Sequence, residues 1–244
     1  MFKKVLATFG VGGSKVDTIL ESSELQIGGE LKGSVIIYGG DVTQEIDGID
    51  FKLLTKIEKE FEEEELLVTK TIAKGKIEQK IKIEANEKIE IPINLDIPYH
   101  TPVSSSREFP IWLETSLDID YAVDPNDKDY IKVYPSTPML DSITSLEDLG
   151  FYIEEIDIEE SKMFNHGFVQ EFEFKPNSGQ FGIDEIELFF EENERYLTVF
   201  IKKDSSSSFL EIFDLDESFF RFTIDKNNYS KSEIKEYYLD ILNG

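Results

Sequence analysis

The sequence predicts an all-β protein built from two β domains, and three observations lead there. Runs of five to ten residues alternate apolar and polar side chains with β-branched and aromatic enrichment. Glycine and proline signals separate these runs at short, regular intervals. The pattern breaks once, at Pro135-Ser136-Thr137-Pro138, where two prolines stiffen an extended link and stop the strand before it. The expected domains are therefore 1–134 and 135–244.

In the first domain, Val16–Leu20 is the first strand and Leu31–Tyr38 the next, the latter bounded by Gly28-Gly29 and Gly39-Gly40, which permit the positive φ of tight connections. Strands over Ile46–Ile57, Leu66–Ile72 and Lys80–Glu84 follow, with Glu62-Glu63-Glu64-Glu65 read as a charged loop. Across Lys88–Leu95, Ile89, Ile91, Ile93 and Leu95 face one way while Lys88, Glu90 and Asn94 face the other. Pro92 and Pro98 cannot donate to a ladder, so this strand belongs at a sheet edge. A long strand over Phe109–Ala122 and a short one over Tyr130–Tyr134 complete an antiparallel sandwich.

Past the prolines, Leu140, Ile143, Leu146 and Leu149 recur every three residues and Gly150 stands where a left-handed cap belongs, so a short helix is expected over 139–149. Strands then return. Phe168, Phe172 and Phe174 oppose Glu171 and Glu173; Ile186, Leu188 and Phe190 oppose Glu185 and Glu187; Leu197, Val199 and Ile201 oppose Tyr196 and Phe200; Phe220, Phe222 and Ile224 form the last strand. Ser230-Lys231-Ser232-Glu233 has capping-box spacing and opens an amphipathic helix over 231–242, with Ile234, Tyr237, Tyr238, Ile241 and Leu242 on one side. At the other end of the chain, Phe2, Val5, Leu6 and Phe9 fall on one face of a short N-terminal helix.

The net charge is −26, spread as 16 basic and 26 acidic side chains before residue 135 and 9 and 25 after it. Both domains repel nucleic acid. The absence of cysteine excludes disulfides, thiolate metal sites and cysteine nucleophiles, and favours a cytoplasmic home. The apolar run that follows Lys3-Lys4 stops at Gly10 without a small-residue cleavage site, so no export signal is expected, and no stretch approaches the ~20 apolar residues of a membrane span.

Catalytic patterns are missing. The two histidines, His100 and His166, lack HExxH or HxH spacing and read as turn residues. Asp124-Pro125-Asn126-Asp127-Lys128-Asp129 invites comparison with a calcium loop, but Lys128, Asp129 and Pro135 occupy positions that need a ligand, a glycine and a glutamate. Gly10–Lys15 lacks the GxxxxGK spacing of a phosphate loop, and no GxSxG elbow occurs. Ser208–Glu217 is an acidic-aromatic segment that fits a core strand, a short helix or an exposed motif. No catalytic, cofactor or metal residue is assigned.

The chain resembles the bacterial stage-zero sporulation-control M family, whose members are arrestin-like. Met1-Phe2-Lys3-Lys4, Gly10-Val11-Gly12, Lys15-Val16-Asp17-Thr18 and the segment Gly39–Ile49 carry the likeness, together with Ile97–Val103, Trp112–Asp120 and Ala122–Ile131. It extends more loosely through Leu149-Gly150-Phe151, Gln170–Phe174 and Asp184–Glu187. The resemblance implies two arrestin-like β-sandwich domains, a part in controlling the onset of sporulation through protein contacts, and no catalytic residue.

The leading expectation is a non-enzymatic adaptor that holds other proteins at exposed sheet edges and at Phe2, Val5, Leu6, Phe9, Ile234, Tyr237, Tyr238 and Ile241. A second reading places Phe2, Val5, Leu6 and Phe9 in a membrane surface with Lys3 and Lys4 at head-group level, an anchor that needs oligomerisation or a partner to hold. A third, an enzyme with a metal on scattered carboxylates, has no ligand spacing behind it.

Overall fold

In a computed structural model of the chain, residues 13–62, 64–119, 124–178, 181–203 and 219–243 are described. The N-terminal face of Phe2, Val5, Leu6 and Phe9 and the segment Ser208–Glu217 lie outside them.

Among the described residues, nine strands precede the prolines. They are β1 (Lys15–Leu20), β2 (Glu24–Gln26), β3 (Glu30–Tyr38), β4 (Gln44–Phe61), β5 (Glu64–Ile77), β6 (Ile81–Ile83), β7 (Lys88–Asp96), β8 (Ile111–Ile119) and β9 (Asn126–Tyr134). After them come helix α1 (Thr137–Asp148), strands β10 (Phe151–Glu160), β11 (Phe168–Pro176), β12 (Ile186–Glu192), β13 (Tyr196–Lys203) and β14 (Phe219–Asp225), and helix α2 (Lys231–Asn243).

One sheet has the order β1-β3-β7. The expectation that Pro92 marks an edge is met, since among the described residues β7 pairs with β3 alone. The second sheet runs β14-β13-β12-β11-β10-β4-β8-β9-β2, with β5 and β6 pairing the other side of β4. Leu31, Val35 and Ile37 from the small sheet join Ile49, Phe51, Leu113 and Leu117 from the large one in a single apolar core. The same core continues past Tyr134 through Phe172, Phe174, Leu188 and Val199 and takes in Ile143 and Leu146 of α1 and Ile234, Tyr238 and Leu242 of α2.

Local chemistry explains the helix ends. Ser136 Oγ accepts from Met139 N at 3.4 Å at the start of α1, and Gly150 takes φ +94° just beyond its end. For α2 the capping box is complete: Glu233 N donates to Ser230 Oγ and Ser230 N donates to Glu233 Oε2 at 2.7 Å. No helix among the described residues is long and apolar enough to cross a membrane.

Three expectations need correcting. Glu64 and Glu65 belong to β5, so the charged loop contracts to a turn at Glu62, whose φ is +52°. The short strand expected over Tyr130–Tyr134 begins earlier, so Asn126, Asp127, Lys128 and Asp129 also lie in β9. A strand over Phe151–Glu160 appears where none is expected, because the register of β10 slips between Ile153 and Glu155 and moves its apolar residues from odd to even positions.

Candidate functional site

The C-terminal helix spends half of its expected contact residues on its own fold. Ile234 and Tyr238 are 1% exposed, and the Tyr238 hydroxyl is 2.6 Å from Ser142 Oγ of α1 inside the core. They are not free to hold a partner, since an amphipathic helix first covers the sheet it lies on. Ile241 is half-buried, and Tyr237, though exposed, stacks on Phe222 at 4.9 Å.

Where the two halves meet, the chain gathers polar and aromatic groups that sequence spacing could not connect. His100, after β7, and His166, between β10 and β11, stack with ring centroids 4.7 Å apart and planes 5° from parallel. Phe164 continues the stack on His166, and Phe168 leans on both imidazoles. His100 Nε2 donates to the Ile72 carbonyl at 3.2 Å. Burial, with His100 and Lys70 close by, pushes His166 down to about 4. Its Nδ1 is buried without a hydrogen-bond partner.

Beside the stack, the Gln170 side chain pairs with a main chain as a neighbouring strand would. Val103 N donates to its Oε1 at 2.8 Å, and its Nε2 donates to the Val103 carbonyl at 2.9 Å. Lys226 Nζ donates to Glu192 Oε1 at 2.7 Å while lying over the Tyr99 ring, and Ser136 of the proline link donates to Glu192 Oε2. The cavity lined by Tyr99, His100, Met139, His166 and Gln170 holds about 40 Å³, far below the few hundred that a small-molecule site encloses. These groups fasten the halves; they do not frame a substrate.

The strongest electrostatic feature is one face of the large sheet. Residues in register share a face, so Leu67, Glu58, Glu159 and Val169 form a row across β5, β4, β10 and β11. Asp157 and Glu171 form a second, and Glu155, Glu173, Glu187, Lys202 and Phe219 a third across β10 to β14. Like charges directly opposite each other across a ladder are destabilising. Among the described residues two cations answer them: Lys202 reaches both Glu187 oxygens at 2.7 and 3.0 Å, almost wholly buried, and Lys175 pairs with Glu173 at 2.8 Å.

The carboxylates respond by holding protons. Burial, with Glu187 and Glu159 adding to it, raises Glu171 to about 8, and its Oε2 has no hydrogen-bond partner. Burial and Glu155 raise Asp157 to about 7, while burial and Glu173 raise Glu185 to about 7. Glu58 and Glu159 move the same way, first by burial and then through Glu65 and Asp157 respectively. Among the described residues no cluster of three or more histidine and carboxylate side chains is arranged to hold a metal ion.

By fold, this is an arrestin-like protein, mostly β with short helices. The solved structure described as Spo0M, sporulation control protein, from Bacillus subtilis superposes with a TM-score of 0.88 and 29% identity, over 96% of this chain and 99% of that one. The chain belongs to the family described as SpoOM protein, whose family model matches residues 2–207. The sporulation-control protein spo0M of Bacillus subtilis strain 168 is 32% identical over 207 residues, which is 83% of this chain and 80% of that protein. A regulatory role in sporulation follows from that membership.

Proposed function

We propose that the chain is a cytoplasmic, non-enzymatic adaptor in sporulation control, and that it holds a basic protein partner on the carboxylate face formed by β4, β10, β11 and β12. The observation that carries this reading is the placing of Glu58 opposite Glu159, Asp157 opposite Glu171 and Glu155 opposite Glu173 with few cations to neutralise them. Folding alone gains nothing from such an arrangement, so it has a use in recognition. The lack of a catalytic constellation in the sequence favours binding over chemistry.

The reading is tested by replacing Glu58, Glu155 and Asp157 with glutamine, glutamine and asparagine. The expected result is loss of partners recovered by cross-linking in sporulating cells, and loss of complementation in a strain lacking the protein, with thermal unfolding no lower than before. Unchanged recovery and unchanged complementation would remove the acidic face from the function.

A further inference from the structure

Sheet edges in natural proteins are blunted by lysines, bulges or covering loops, because a bare edge recruits another strand. β5 is such an edge, its only strand partner among the described residues being β4. Its C-terminal part is blunted in all three ways. Lys70, Lys74 and Lys76 lie along it; the pairing passes from Leu54↔Thr71 to Leu53↔Ala73 and leaves Ile72 out; His100 donates to the Ile72 carbonyl, and Lys70 Nζ to the Gly167 carbonyl. Among the described residues, its N-terminal part has none of these. From Glu65 to Thr69 the strand is Glu-Leu-Leu-Val-Thr, with Leu66 43% and Leu67 47% exposed, beside Phe61 at 57%.

We infer that the edge of β5 from Glu65 to Thr69 is a strand-addition site for an extended segment of another protein in which basic and apolar residues alternate, an inference that rests on the acidic-face reading above. The backbone of β5 supplies the hydrogen bonds, and the two faces of the hairpin set the pattern. On one face an added strand meets Glu65 and Leu67 with Glu58 just beyond, so basic side chains there find carboxylates. On the other it meets Leu66 with Phe61 nearby, since Leu66 pairs with Lys59 two residues from Phe61, and apolar side chains are covered there. A second copy of the chain is the poorer occupant, because edge-to-edge pairing sets two carboxylate faces side by side on one sheet.

The test uses the full chain and a fluorescent octapeptide of alternating lysine and valine, with two controls: the glutamate–valine counterpart, and a lysine–valine peptide N-methylated at every residue, so that charge stays while neither edge can donate a backbone hydrogen bond. The lysine–valine peptide binds saturably and slows amide exchange at Leu66–Thr69. N-methylation weakens it by roughly tenfold or more, as the loss of several net hydrogen bonds requires. Leu67→Lys weakens it comparably, with thermal unfolding unchanged because the side chain is exposed.

Equal binding of the methylated peptide, with no exchange protection, overturns strand addition and leaves the acidic face standing. Failure of the lysine–valine peptide to bind better than its glutamate counterpart overturns both readings. A free chain that sediments as a dimer and is dissociated by Leu67→Lys overturns the choice of occupant in favour of a second copy.

Discussion

The imidazoles of His100 and His166 lie face to face, 4.7 Å apart, although one follows β7 and the other sits between β10 and β11. A neutral pair stacks without penalty; a doubly charged pair at that distance does not. His166 titrates near 4 in the folded chain and near 6.5 when unfolded, so the unfolded state binds the proton more readily between those values. The contribution is intact above pH 6.5 and is lost as pH falls towards 4. In His166→Phe, where a ring is kept and the titration removed, urea unfolding midpoints decline less between pH 6.5 and 4. A decline as steep as that of the parent chain would rule His166 out as its source.

Glu171 works in the opposite direction. Its folded value of about 8 lies above the ordinary glutamate value of about 4.3. The folded state therefore binds the proton more tightly, and stability rises as pH falls from above 8 towards the unfolded value. Glu171→Gln raises stability at pH 8 by about 1–2 kcal/mol, a gain that fades by pH 5, where the parent carboxyl is also neutral in the folded chain. Chemical denaturation at the two pH values measures it, and an equal effect at both would deny the titration.

The Tyr238 hydroxyl and Ser142 Oγ, 2.6 Å apart in the core, give a test of how α2 is held. Tyr238→Phe and Ser142→Ala each leave one buried polar group alone and cost about 1–2 kcal/mol. The double variant costs clearly less than the two together. Strict additivity in a double-mutant cycle would mean that the bond is not made.

Two glycines separate crowding from freedom. A Cβ on Gly33 collides with the Ile19 carbonyl oxygen of the paired strand, whereas one on Gly75 has no neighbour within 4 Å. Gly33→Ala costs about 2 kcal/mol or more, because two backbones must move apart. Gly75→Ala is neutral or slightly stabilising by thermal unfolding.

Much of the fold could be read before the structure, and the residues say why. Ile89, Ile91 and Ile93 announce a strand and Pro92 its place at the edge; Ser230 and Glu233 announce a helix start, because caps and alternation are local. β2 is three residues long and too short to carry a period. β10 hides because its bulge reverses the alternation halfway. The carboxylates of β11 and β12 could be placed on outward positions, but not against Glu58, Asp157 and Glu155, since register between distant strands is fixed by turns and packing that no single segment contains. The two histidines gave no sign of meeting, for the same reason.

β4 has 18 residues, and at strand rise it is about 60 Å long. Its first part lies between β6 and β8, and its last part, beyond Leu54, runs beside β10 and carries the hairpin turn at Glu62. Such a strand is a spar held at both ends, by β6 and β8 at one and by β5 and β10 at the other, so that the two halves share one uninterrupted backbone.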